Sequence, residues 1–198
     1  MTSYRLGLTG SIGMGKSTTA AMFAAEGIPV WDADACVHRL YAPGGEATKI
    51  VASLYPAAIK DAAVSRPALR DLIARDPTVL DHLQSAVHPL VAADRTAFLA
   101  AQTAPIVLLD IPLLFETGAD THCDGIVVVT APAAIQRARV LARGDMTGAD
   151  LDLILSRQMP DTEKRRRATW VIETTDMDSA RAAVKDILKD IRQRLSHA

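Results

Sequence analysis

The sequence predicts an α/β fold, a doubly wound parallel sheet with helical additions, and three observations carry that prediction. Short, nearly continuous apolar runs recur at 4–9, 106–109 and 126–129, as in strands buried on both faces. Helical periodicity fills the stretches between such runs, the alternation expected of parallel strands joined by crossover helices. The chain is 49% hydrophobic but only 4% aromatic, so aliphatic residues and Ala must fill the core, which suits helices packed on a sheet. Its 198 residues suit one compact domain, 1–198, with room for a smaller subdomain.

Residues 4–9 read as a strand that runs straight into a glycine-rich turn. A helix is expected over 17–25, with Gly27 where a C-terminal glycine cap belongs. A second strand at 28–31 ends on Asp32-Ala33-Asp34. From about 35 to 102 no strand is expected, and helical stretches are punctuated by Pro43, Pro56, Pro67, Pro77 and Pro89. Leu69, Leu72 and Ile73 share one helix face, and Val79, Leu80, Leu83 and Val87 continue the pattern. Strands return at 106–109 and 126–129, followed by helices at 133–143 and 149–159. A short strand at 170–173 precedes an amphipathic helix from about 179 to 195. The stretch 35–102 is too long for one crossover and is expected to form a helical subdomain. The core is then about 1–34, 103–135 and 168–198, leaving about 136–167 as a helical lid.

The 22 basic and 23 acidic residues nearly cancel to a formal charge of −1, which argues against disorder and against nucleic-acid binding through bulk positive charge. No apolar run approaches the ~20 residues that span a bilayer, and the first residues lack the apolar region and cleavage site of a signal peptide. Cys36 and Cys123 form no CxxC or metal pattern and read as buried thiols in a reducing compartment. A cytoplasmic protein without nucleic-acid or membrane partners is expected, monomeric or weakly self-associating.

The most informative segment is Gly10-Ser11-Ile12-Gly13-Met14-Gly15-Lys16-Ser17, a full match to GxxxxGK[ST] between a strand and a helix. Such a loop turns its backbone N–H groups inward and makes an anion site at a helix N-terminus, the mark of a P-loop NTPase-type sheet. Gly10, Gly13, Met14, Gly15, Lys16, Ser17 and Thr18 are therefore candidate ATP-phosphate residues. Lys16 can reach the β- and γ-phosphates and the Ser17 hydroxyl can ligate Mg²⁺. Asp110 ends the apolar strand Ile106-Val107-Leu108-Leu109, and an acid there can hold Mg²⁺ directly or through water.

The chain contains no asparagine, so it lacks the Asn-Lys-x-Asp motif by which signalling GTPases select guanine. A small-molecule kinase fits better, holding an acceptor hydroxyl in line with the γ-phosphate and excluding water. Asp34, just past a strand end, is the candidate acceptor-side carboxylate. Asp32 competes with it, and an Asp-x-Asp pair also suits a helix N-cap followed by a solvated acid. Residues 137–167 carry eight basic against five acidic residues, which suggests a lid whose arginines close over a triphosphate. Arg139 and Arg143, four apart on one helical face, are the best placed; the run 164–167 reads as a solvated face. His88, before Pro89, reads first as a packed, hydrogen-bonded histidine and alternatively as an acceptor contact.

Taken together, the residues resemble the dephospho-coenzyme A kinase family along nearly the whole chain. The resemblance rests on residues 7–18, the Asp32-Ala33-Asp34 triplet, His88-Pro89, Asp110-Ile-Pro-Leu-Leu-Phe-Glu116, the Gln136, Arg139, Arg143 spacing, and Arg157-Gln158. It implies ATP-dependent phosphorylation of the ribose 3′-hydroxyl of dephospho-coenzyme A, the last step of coenzyme A biosynthesis, by a core, a helical acceptor domain and a lid. It also implies Asp34 as catalytic base, Lys16 and Arg143 as charge-stabilising groups, and Arg139 and Arg143 as lid arginines on ATP. Asp110–Glu116 would border the acceptor, making Phe115 a candidate acceptor contact alongside Asp34 and His88. Where the family usually has an arginine this chain has His38, with Arg39 next, and Thr174 replaces the usual asparagine. The second departure leaves base selectivity to backbone groups or relaxes it. Another small-molecule or nucleotide kinase on this scaffold, or a non-catalytic ATP-dependent switch, are the alternatives.

Overall fold

The computed structural model describes residues 3–144 and 146–197. They form two compact units, one from the N-terminal segment through Trp31 together with the chain from Gln102 onward, the other Asp32–Ala101.

The first unit is built on a five-stranded sheet. Its strands are β1 (Tyr4–Thr9), β2 (Val30–Asp32), β5 (Ile106–Asp110), β6 (Gly125–Thr130) and β7 (Trp170–Glu173), in the order β2-β5-β1-β6-β7. The pairs β1–β5, β1–β6 and β6–β7 are parallel. Alternation along the strands divides the core. Leu6, Leu8, Ile106, Leu108, Val127, Val129 and Ile172 join one cluster with Phe23 of helix α1 (Lys16–Ala25) and Val184, Leu188 and Ile191 of helix α9 (Met177–Ser196). The alternate residues Val107, Leu109 and Val128 are equally buried on the other face. Both faces are covered, which is why these strands read as unbroken apolar runs.

Helices α6 (Ala133–Leu141), α7 (Gly148–Arg157) and α8 (Asp161–Arg167) follow β6. Helix α6 ends two residues before the expected Arg143, because the chain turns through Gly144 at φ +77°. Helix α7 starts in a capping box in which Thr147 and Asp150 satisfy each other's backbone N–H groups. Helix α9 starts two residues earlier than its periodicity suggests, since the Asp176 carboxylate accepts from Ser179 N at 2.7 Å.

The basic run 164–167 is not uniformly solvated. Four successive residues sweep more than three-quarters of a helical turn, so one must face inward. Lys164 is completely buried, its ammonium 2.8 Å from Glu116 Oε1. Arg167 pairs with Asp120 at 2.9 Å and lies over the Phe115 ring at 4.6 Å. Arg165 and Arg166 are exposed, as expected.

The second unit holds α2 (Ala33–Tyr41), α3 (Glu46–Leu54), α4 (Arg66–Arg75) and α5 (Thr78–Ala100) around Val51, Leu69, Val79 and Leu83. Leu80 is exposed, so the apolar face of α5 is narrower than the spacing implied. A hairpin of β3 (Ile59–Lys60) and β4 (Ala63–Val64) corrects the strand-free expectation for this region. Its turn places Asp61 and Ala62 at φ +50° and +61°, and strands of two residues leave no period to read. Cys36 is fully buried, and burial together with an Asp94 hydrogen bond pushes its thiol up to about 12. Cys123 is only half-buried.

Burial alone would raise the Glu116 carboxyl, but the Lys164 ammonium and the Met159 N–H at 2.8 Å reverse this and hold it below the usual carboxylate range. A depressed folded-state pKa adds stability above the ordinary range and loses it as pH falls through the folded value. Urea unfolding should therefore show an acid loss of stability that Glu116→Gln flattens. Lys164→Met, which strands the buried carboxylate, should cost about 3 kcal/mol at neutral pH.

Candidate active site

The loop between β1 and α1 carries the phosphate-binding sequence, and its shape depends on two left-handed glycines. Gly13 sits at φ +77° and Gly15 at φ +87°, where a side chain would strain the backbone. Gly15 is also the N-cap of α1, so the first N–H groups of that helix open from the loop. Ser17 and Thr18 are exposed in that first turn. Gly10 serves close packing: a side-chain carbon there would collide with Val129. Met14 is buried, and its sulfur accepts the Ala131 N–H at 3.0 Å, plugging the loop onto β6.

Strand register sets the opposing acid. Leu8 pairs with Asp110, so Asp110 stands level with the start of the loop. Lys16 Nζ lies 2.6 Å from Asp110 Oδ1, with the carboxylate almost completely buried. A buried pair of this kind is held by mutual neutralisation, since either charge alone would be costly there.

Beside the loop a cavity of about 460 Å³ is lined by Gly13, Gly15, Thr18, Thr19, Met22, Arg139, Ala142, Arg143, Thr174, Met177 and Ala180. The structure thus brings both predicted arginines to the loop. Arg139 donates from Nη1 to Thr174 Oγ1 at 2.9 Å and from Nη2 to the Thr174 carbonyl at 2.5 Å. Thr174 in turn donates to the Met14 carbonyl at 2.9 Å. Its hydroxyl is committed to the protein on both sides. Arg143 stands past the end of α6, exposed at the cavity. Sequence reasoning missed Thr19, Met22, Ala142, Met177 and Ala180 as lining residues; nothing local in the sequence distinguishes them from ordinary helix positions.

The acidic triplet lies in the second unit and its two acids differ. Asp32 is the N-cap of α2, its Oδ1 accepting from Ala35 N at 3.0 Å, whereas Asp34 is exposed in the first turn. Arg39 makes a two-pronged pair with Asp94 at 3.0 and 3.1 Å. His88 is exposed on α5, which overturns its reading as a packed core histidine. Phe115, in the first unit, is buried with one face under Arg167.

Comparison with known proteins follows the same line. Residues 4–179 match the family profile described as CoaE, dephospho-CoA kinase. Dephospho-CoA kinase of Cereibacter sphaeroides is 62% identical over 98% of each chain, and that of Ruegeria pomeroyi is 52% identical over 99% of this chain and 100% of its own. Among solved structures, TT1252 from Thermus thermophilus superposes with a TM-score of 0.86 at 36% identity, covering 96% of this chain and 98% of its own. A dephospho-CoA kinase from Campylobacter jejuni has a TM-score of 0.67 at 23% identity over 94% and 96%, a likeness of fold.

The Thr174 tie can be tested directly. Thr174→Val keeps the shape but loses the hydroxyl that joins Arg139 to the loop, and ATP affinity by calorimetry should fall about tenfold, the scale of one charge-assisted hydrogen bond. Thr174→Ser should keep it. Equal affinity in all three proteins would remove the tie from nucleotide binding.

Proposed function

The chain belongs to the dephospho-CoA kinase family, and from that membership we infer that it transfers the terminal phosphoryl group of ATP to the ribose 3′-hydroxyl of dephospho-CoA, giving CoA and ADP. The observation that carries this reading is a family match spanning both compact units, with the phosphate loop intact in the first. No described helix is long and apolar enough to cross a membrane.

The proposed roles follow from charge and placement. The inward N–H groups of Gly13–Thr18 and the Lys16 ammonium hold the phosphates. Arg139, fixed by Thr174, and Arg143, exposed at the cavity, offset charge on the triphosphate and narrow access for water. No cluster of three metal-ligating side chains exists among the described residues, but Mg²⁺ on a nucleotide needs only one or two protein oxygens beside the phosphates. Ser17 and the buried Asp110 fit that demand and would hold it; when bound it neutralises phosphate charge. Asp34 orients the acceptor hydroxyl and takes its proton. Because the transition state is loose, the proton moves late, so the placement of the carboxylate matters more than its basicity. The helical unit Asp32–Ala101 would bind the acceptor, with His88 on its surface, and the segment from α6 to α8 would serve as lid. Phe115, buried and already covered on one face by Arg167, has little surface left for the acceptor.

With Mg-ATP, the purified protein should convert dephospho-CoA to CoA and phosphorylate AMP or CMP poorly. Faster transfer to either monophosphate would sink the substrate assignment.

The acid triplet gives a sharper test. Asp34→Asn should lower turnover about 10²-fold or more with ATP affinity retained. Asp32→Asn should stay near normal, since asparagine caps a helix as well as aspartate. The opposite pattern would make Asp32 the working acid.

A further inference from the structure

We propose that Gln136 and Gln158 are positioning residues for phosphoryl transfer, which grip the two peptide groups flanking one residue of the phosphate loop and so fix the loop to both ends of the basic helical segment. The proposal rests on the kinase reading and adds to it two residues with no role so far.

Gln136 Nε2 donates to the Ile12 carbonyl at 2.7 Å, and Gln158 Oε1 accepts the Ile12 N–H at 3.3 Å. Ile12 lies at the middle of the loop, where a chain that is neither helix nor strand offers its peptide groups no ladder partner. Gln136 is almost fully buried in the second turn of α6. Gln158 caps the C-terminus of α7. The two residues bracket 137–157, which carries Arg139, Arg143 and Arg157. Packing reinforces the contact on the α6 side: a side-chain carbon on Gly13 would lie 2.6 Å from Val140 and 3.1 Å from the Gln136 carbonyl.

The far end is anchored as well. Met159, next to Gln158, donates its N–H to Glu116 Oε1, the oxygen that also faces Lys164. The buried charge pair thereby holds the backbone from which Gln158 reaches Ile12. Loop shape and arginine placement are coupled through the two peptide groups of one residue, Ile12, and loosening either amide displaces the arginines relative to the phosphates.

The two bonds have opposite polarity, and this gives the test. Position 158 must accept, so Gln158→Glu should keep the bond and most of kcat, its added negative charge raising only the KM for ATP. Gln158→Leu should lower kcat about 10- to 100-fold, the scale of a small misplacement of reacting groups. It should also raise the ATP hydrolysed per CoA formed. Position 136 must donate, so both Gln136→Glu and Gln136→Leu should lose kcat. Amide hydrogen exchange at Ile12, read by NMR, should be slow in the wild type and in Gln158→Glu and fast in Gln158→Leu. If kcat tracks thermal stability alone across the variants, or Ile12 exchanges equally in all, the clasp is wrong. Should a Gln136 variant fail to fold, the Gln158 pair decides. Because exchange at Ile12 needs no acceptor, a wild type that makes no CoA would count against the substrate assignment while leaving the clasp to be judged by exchange.

Discussion

A phosphate-binding loop cannot hold itself together, and most of the first unit can be understood as the answer to that constraint. Turning the N–H groups inward to meet an anion leaves the loop without a helix or sheet ladder, and its outward peptide groups still need partners. Thr174 takes the Met14 carbonyl, Gln136 the Ile12 carbonyl and Gln158 the Ile12 N–H. The Met14 sulfur and the close approach of Gly10 to Val129 seat the loop on β6, and the Lys16–Asp110 pair ties it to β5. Each partner comes from a different element, so the loop has its working shape only when the sheet, α6, α7 and the end of β7 are all in place.

The same logic explains a fully buried lysine at the start of the most basic run in the chain. An ammonium without water is tolerated only beside a carboxylate. Glu116 supplies it, and its oxygen also accepts the Met159 N–H. Arg167 adds a second pair with Asp120 and covers Phe115. Helix α8 is therefore docked by polar contacts to the segment after β5, which makes the turn at 158–160 a fixed end rather than a loose strap.

The sequence made legible what is local or strongly patterned. The loop has a motif, the buried strands have continuous apolar runs, and the boundaries of β1 and β7 are recovered to the residue. Long-range ties were not legible. The contact of Thr174 with Met14 spans 160 positions and that of Gln158 with Ile12 spans 146, and both depend on strand register and helix rotation. Gln136 and Gln158 stood out only as part of the family resemblance, which does not say that one donates and the other accepts. Lys164 looked solvated because composition counts charges and cannot say which of four successive side chains turns inward. His88 looked buried because its neighbours are apolar, yet its own position on α5 faces outward.

Polar side chains near the loop and in the triplet can be sorted by whether the protein already uses them. Thr9 donates to the Pro112 carbonyl, Thr130 to Asp161, Thr174 to Met14, and Asp32 caps its own helix. Such groups hold the frame, because using them on a ligand would first break a bond already made. Ser17, Thr18, Asp34 and Arg143 are exposed; with Asp32 already capping α2, the fold gains from a carboxylate at 34 only the modest benefit of an acid in the first helical turn. Chemistry that depends on placing charged groups rather than on unusual basicity needs this division. One set of polar groups is spent on rigidity, while Ser17, Thr18, Asp34 and Arg143 stay open to solvent; Lys16 and Arg139 straddle the division, since each already holds a protein partner that a bound phosphate would have to share.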